Sequence, residues 1–281
     1  MRALAGDAAR RLRSNPGAVC ALAAILCMVA LALIGPWFSP NGSDALDWSH
    51  VASSPALQSA HWFGTDRLGR DLYARTLEGA RVSMAIGLVA SAVSLVFGIG
   101  YGAIAGYVGG RTDQLMMRII EILSGLPLIF FVIFLTVIFG RSEYLLFLSV
   151  GAVGWLTMAR IVRGQALSIR RREFIEAAIA SGAGTARIIA RHVIPNVIGP
   201  VIVYATLTIP QVILIESFLS FLGLGVQEPY TSWGVLISEG AAQMETAPWM
   251  LIFPAVFLAT TLFCFNFLGD GLRDALDPKD R

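Results

Sequence analysis

The amino-acid sequence predicts an all-α membrane protein with six transmembrane helices and both termini on the cytoplasmic side. Three observations carry that prediction. Of 281 residues, 56% are hydrophobic and only 14% charged, whereas a soluble protein carries about 25% charged residues. Apolar runs near the roughly 20 residues needed to cross a bilayer recur along the chain. The basic residues are also distributed unevenly between the loops on the two sides.

The same composition narrows the chemistry. A net charge of +2 is too small to point to nucleic acid. Cys20, Cys27 and Cys264 all fall within apolar runs and read as thiols in grease, not as a disulfide framework or zinc site. His50, His61 and His192 are scattered, and no His–carboxylate pair stands at metal-ligand spacing, so neither a metal nor a bound cofactor is expected. The one lysine is Lys279, after Pro278. A phosphate-binding P-loop needs Gly-Lys-Ser/Thr, which this chain lacks. Any ATP-driven work therefore requires a partner that hydrolyses ATP.

Element by element, a short N-terminal segment (1–16) carries Arg10, Arg11 and Arg13 before the first span, 17–38. That run exceeds the roughly 7–15 residues of a signal h-region. It reads as an uncleaved anchor despite the cleavage-like Ala30-Leu31-Ala32. An outer loop, 39–81, opens with SPNGSD and ends with TDRLGRDLYARTLEGAR, where Asp71 and Arg75 stand four apart, as on one helix face. The second span, 82–108, carries no charge. In it Gly98, Gly102 and Gly106 recur every fourth residue, as do Ser83, Gly87 and Ser91, a pattern that lets helix backbones approach closely.

The third span, 118–139, contains Pro127 and is expected to kink there. The fourth, 144–162, is the weakest, with Arg160 and Arg163 snorkelling to the interface. A long cytoplasmic loop, 163–195, leads to the fifth span, 196–216, which holds Pro200 and Pro210. The outer segment 217–246 has no basic residue but carries Glu228, Glu239 and Glu245. The sixth span, 247–269, precedes the tail 270–281, where Asp270 and Asp274 are expected to meet Arg273 or solvent. This arrangement puts sixteen basic residues inside and five outside. Glu121 and Glu216 fall near opposite ends of their spans and read as interface groups.

The loop 163–195 is the most specific stretch. From Glu173 to Ala180, Phe174, Ile175, Ala178 and Ile179 are placed on one side of two helical turns, with Glu173 and Glu176 on another. Gly182-Ala183-Gly184 breaks the pattern. A second helix starts near Thr185, a plausible N-cap, with Ile189 and Val193 on one face and Arg187 and Arg191 on another. Pro195 marks entry to the fifth span. An eight-residue helix is not stable alone, so its apolar side must dock: against the membrane interface, its own bundle, or a groove on a soluble partner.

The segment EAAIASGAGTARIIARHVIPN (176–196) resembles the EAA loop of ABC importer permeases. Glu176, Ala177, Ala178, Gly182, Ile194 and Pro195 lie at or within one place of the family spacing, and His192 stands where that family usually has isoleucine. Three further segments narrow the resemblance to the C-type permease subunits of dipeptide and oligopeptide importers. These are HWFGTDRLGRDLYARTLEGARVSMAIG (61–87), ESFLSFLGLGVQEPYTSWGVLI (216–237) and NFLGDGLRDALDPKDR (266–281). The third span reads MRIIEIL, Glu121 replacing the family's usual aspartate. The resemblance covers residues 15–281.

It implies the type I importer (MetI-like) permease fold, with the ABC transmembrane domain over 82–269, in a bacterial inner membrane. It implies a non-catalytic subunit forming half of a peptide pathway with a related B-type permease. Two cytoplasmic P-loop ATPase subunits would use ATP and Mg, and an extracytoplasmic binding protein would deliver cargo. Glu176, Ala177, Ala178, Gly182, Ala183, Ile194 and Pro195 would couple to the ATPase, Gly182 supplying a turn that a side chain would obstruct. Asp66, Arg70, Asp71 and Arg75 would belong to an outer element that gates the pore or meets the binding protein. Importers of nickel, glutathione or haem share these motifs. A stand-alone channel or secondary transporter is the competing class, and the spans offer no ionisable relay near the midplane for it.

Overall fold

In hydrocarbon every backbone N–H and C=O must be bonded within its own segment, and the apolar runs accordingly become helices. The computed structural model describes residues 9–56, 60–139 and 143–276. Helix α1, Pro16–Ile34, starts where Asn15 accepts a hydrogen bond from the Ala18 N–H (3.2 Å), with proline at its first position. A short 3₁₀ turn, Gly35–Phe38, extends it. Helix α2, Leu72–Val108, is a single rod of 37 residues that begins well before the expected span. Asp71 starts it as N-cap, accepting from the Ala74 N–H at 2.8 Å.

The expected third span is two helices, α3 (Gly110–Ser124) and α4 (Leu128–Phe139), with a break rather than a kink between them. The residue before a proline avoids the helical region, so Leu126-Pro127 ends α3 and restarts the chain as α4. Helix α5 runs Glu143–Ile169. The loop that follows holds α6 (Glu173–Ala180) and α7 (Thr185–Ile188), then a π-helical turn, Ile189–Val193, and α8 (Ile194–Phe221). Helix α9, Trp233–Ala241, lies between α8 and α10, Trp249–Leu276. Among the described residues four helical runs are long and apolar enough to cross a membrane: Pro16–Phe38, Leu72–Val108, Thr185–Phe221 and Trp249–Leu276.

Helix α2 is the axis of the bundle. Its glycine face lies on α5: a Cβ on Gly98 would sit 2.6 Å from Met158 Cβ, on Gly102 2.8 Å from Val162 Cβ, and on Gly106 2.7 Å from Ala166 Cβ. Real Cβ atoms do not approach so closely, so these two backbones meet where α2 carries only hydrogen. Another face meets α8, where a Cβ on Gly87 would lie 2.8 Å from Ile213 Cγ1. Arg163 does not snorkel free; it grips Asp113 of α3 with two hydrogen bonds, 2.5 and 2.6 Å. Arg81 donates to the Ala32 and Leu33 carbonyls, capping the open end of α1. Ile25 and Ala32 of α1 share a core with Met84, Ile213, Trp233, Leu258 and Phe265.

Candidate functional site

Helix α6 docks on its own bundle through part of its apolar side only. Ile175 is fully buried in a core with Val162, Ala166 and Ile169 of α5, Ala103 and Tyr107 of α2, and Ile188, Val193, Val197 and Val201 farther along the chain. Ala178, Ala183 and Ile194 pack against that core. Phe174 and Ile179, expected on the same face, remain 43% and 55% exposed. Glu173, Glu176 and Ala177 are exposed beside them, and Pro195 is half-buried. The helix thus has one side committed to the bundle and a second, part acidic and part apolar, facing outward.

Its end is a Schellman motif: the Ala183 N–H bonds to Ala178 O (3.0 Å) and the Gly182 N–H to Ile179 O (2.9 Å). Gly182 adopts φ +79°, and a Cβ there would meet nothing within 4 Å. Within this chain the requirement for glycine is therefore conformational, not the obstruction expected from sequence. Thr185 is not a cap either; Gly184 holds that position and no side chain caps α7. Proline at 195 cannot bond to residue 191. The turn before it widens to a π-helix, in which the Ile194 N–H reaches Ile189 O. The helix thereby passes unbroken from Thr185 to Phe221, and the second helix of the loop is the start of α8.

Asp66, Arg70, Asp71 and Arg75 form a buried network, not a solvated helix face. Asp66, Asp71 and Arg75 are 1%, 1% and 3% exposed. Asp66 accepts from the N–H groups of Leu68 (2.8 Å) and Arg70 (2.9 Å), from Arg70 Nε (2.7 Å) and from Arg75 (2.6 Å). Arg75 also grips Glu239 of α9 with two bonds, 2.7 and 3.2 Å. Asp71 and Arg75, four apart in sequence, do not pair with each other, because Asp71 is occupied by the α2 N-terminus and by His61 Nδ1 at 2.8 Å. Arg70 reaches exposed Glu228 at 3.0 Å. Burial opposes the charge on Arg70, but the hydrogen bond and charge of Asp66, with Glu228 and Glu239 beyond, raise its pKa.

Two further groups depart from the sequence reading. Glu216, read as an interface group near the end of its span, is fully buried within the protein and accepts from Ser83 (3.1 Å) and Ser220 (2.7 Å). Ser83 also accepts from the Trp233 N–H (3.2 Å), so the three helices α2, α8 and α9 meet at this point. Glu121 does pair, exposed, with Arg118 at 3.0 Å, while Asp270 and Asp274 face solvent. The histidines are the second departure. Asp47, His50 and His61, distant or unremarkable in sequence, present ligand atoms within 4.8 Å of one another. Hydrogen bonds from the Ser49 side chain, then from His50 and the Ser49 N–H, hold the Asp47 carboxyl well below the usual carboxylate range.

Residues 98–281 match the family described as "Binding-protein-dependent transport system inner membrane component". Residues 4–56 match the "N-terminal TM domain of oligopeptide transport permease C". The chain is 54% identical over 280 residues to the oligopeptide transport system permease protein OppC of Haemophilus influenzae, covering 100% of this chain and 90% of that one. It is 52% identical to OppC of Escherichia coli K12 (100% and 93% covered). It is 46% identical to the dipeptide transport system permease protein DppC of Bacillus subtilis (98% and 86%). In fold it is similar to a chain of the inward-facing MetNI methionine ABC transporter, with TM-score 0.58 and 18% identity over 72% of this chain and 96% of that one. The chain therefore belongs to the inner-membrane components of binding-protein-dependent transport systems, the permeases of ABC importers.

Proposed function

We propose that this chain forms half of the translocation pathway for di- and oligopeptides across a bacterial inner membrane, with six spans and both termini cytoplasmic. It pairs with a B-type permease, and two cytoplasmic P-loop ATPases drive it with ATP and Mg while an extracytoplasmic binding protein delivers the peptide. The names of its relatives support the peptide cargo. The observation that carries the mechanism is the division of α6. Ile175 ties the helix to α2, α5 and α8, while Phe174, Ile179 and Glu176 stay outside.

An exposed, half-apolar face on a two-turn helix suits the groove of a soluble partner. A push on α6 reaches α8 through the Ile175–Ile188–Val193 core and through a helix that runs unbroken into the membrane. The alanines share the work: Ala177 keeps the outer face slim, and Ala178 and Ala183 pack inward. Gly98, Gly102 and Gly106 hold α2 and α5 together as one body during that movement.

Two experiments test this reading. Purification of the untruncated chain from its native host in mild detergent should recover a second permease and P-loop ATPases in stoichiometric amounts. A chain that purifies alone and moves solute without ATP would return the channel reading. Gly182→Val should cost about 1–2 kcal/mol locally, the penalty for a left-handed conformation outside glycine. The variant is expected to insert normally but lose stimulation of ATP hydrolysis by loaded binding protein. Unchanged transport by Gly182→Val would sink the coupling role.

A further inference from the structure

We infer that Asp47, His50 and His61 form a binding site for a divalent transition metal of the zinc class, with Asp71 as the positioning residue for His61. The three ligand groups come from two loops brought together by backbone hydrogen bonds. Asp47 N–H bonds to Gly69 O (3.3 Å), Ala52 N–H to Asp66 O (2.9 Å) and Thr65 N–H to Ser53 O (3.1 Å). Gly69 stands at φ +75°, and any Cβ on it would collide with the Asp47 carbonyl. The loops are thus held in a fixed relation by the backbone itself.

The chemistry of the donor set is specific. His50 Nδ1 lies 2.8 Å from Asp47 Oδ2, and His61 Nε2 lies 3.6 Å from the same oxygen. Tetrahedral zinc with bonds of about 2.0–2.1 Å sets its ligand atoms roughly 3.3 Å apart; the His61 separation is close to that, and the hydrogen-bonded His50–Asp47 pair need open by only about 0.5 Å to admit the ion. His61 is 4% exposed and its other nitrogen, Nδ1, donates to the Asp71 carboxylate at 2.8 Å. A carboxylate on the far nitrogen fixes the tautomer that turns Nε2 toward a metal, the usual second partner of a ligating histidine. Asp71 is itself held by the Ala74 N–H at the start of α2. Two imidazoles and one carboxylate suit zinc and its neighbours, and poorly suit calcium or magnesium, which favour oxygen.

Three protein ligands leave a fourth position for water or a group from another molecule. A metal here would tie the 47–50 loop through His61 and Asp71 to the first turn of α2, four residues before Arg75. It would stiffen the outer element around the Asp66–Arg75–Glu239 network. This goes beyond the transport reading and needs only the folded outer loops. It replaces the expectation, from spacing along the chain, that these histidines are unrelated.

The test uses the intact permease complex, purified without a polyhistidine tag and stripped with chelator. Dialysis against zinc, with metal measured by elemental analysis, should show one equivalent per chain beyond that retained by a His50→Ala complex. Cobalt(II) in its place should give the visible absorption of a low-coordinate nitrogen–oxygen site, which the variant lacks. His50→Ala should weaken zinc binding at least about tenfold, and zinc should raise the melting temperature of the parent but not of the variant. The His50 side chain is 54% exposed, so the metal-free melting temperatures should coincide. If they do not, Asp47→Asn is the second variant. Equal zinc content and affinity in the parent and in both variants would overturn the site, as would the absence of any stoichiometric zinc.

Discussion

Arg75→Ala is expected to destabilise the folded chain by about 3–5 kcal/mol, the range found when one partner of a buried ion pair is removed. The residue holds two carboxylates at once: Asp66 at 2.6 Å and Glu239 at 2.7 and 3.2 Å. Asp66 is 1% exposed and cannot recover water when the guanidinium leaves. Its remaining donors, Arg70 and two backbone N–H groups, satisfy the near loop but not the link to α9. Glu239 belongs to an element far along the chain, so the loss also removes one link between α9 and α2, leaving the Trp233 bonds to Ser83 and Thr76. Arg75→Lys should recover only part of the effect, because an ammonium cannot present the planar fork that meets Glu239 twice. Glu228→Ala is the surface control. Its pairing with Arg70 is well exposed, and exposed pairs contribute about 0–1 kcal/mol. Denaturant or thermal unfolding in detergent, with size-exclusion profiles of folded chain, reads all three. A shift below about 1 kcal/mol for Arg75→Ala would show that the network is not what holds this element.

Gly102→Ala is expected to destabilise the α2–α5 contact, while Gly100→Ala, two residues away on the same helix, is not. A methyl on Gly102 would enter the backbone of α5, 2.8 Å from Val162 Cβ and 2.9 Å from the Arg163 N, with the Ala159 carbonyl closer still. None of these is the mobile end of a side chain. The helices must separate, and overpacking of this kind costs about 1–3 kcal/mol. A Cβ on Gly100 meets nothing within 4 Å, so alanine there should be neutral or stabilising by about 0.5–1 kcal/mol through helix propensity. Gly102→Val should exceed Gly102→Ala because it adds bulk at the same crossing. Equal melting temperatures for Gly100→Ala and Gly102→Ala would mean that the helices cross elsewhere or adjust without cost.

Arg75 acts through distant partners, whereas Gly102 belongs to a stripe already visible along the chain. Hydropathy is a property of consecutive residues, so the runs that became α1, α2, α8 and α10 were legible from the sequence alone. The glycine spacing in α2 was legible for the same reason: a period of four on a helix is a stripe, whatever the stripe meets. That the stripe meets Met158, Val162 and Ala166 of α5 is a tertiary fact. Local chemistry also announced the end of α6, through Gly182, although its need for glycine comes from φ +79° rather than crowding.

What only the tertiary structure decided concerns polar groups that change meaning on burial. Asp71 and Arg75, four apart, look like a surface pair, but one caps a helix and the other bonds to a residue 164 positions away. Glu216 looks interfacial from its place near the end of a run, yet two serine hydroxyls satisfy it inside the bundle. His61 looks isolated until folding places Asp47 and His50 on one side of its ring and Asp71 on the other. The physical reason is common to all of them. Burying apolar surface rewards composition in any order that keeps a run apolar, so sequence determines which segments enter the membrane. A buried charge or imidazole tolerates only the particular partners that replace its water, and those partners are chosen by the packing of distant segments.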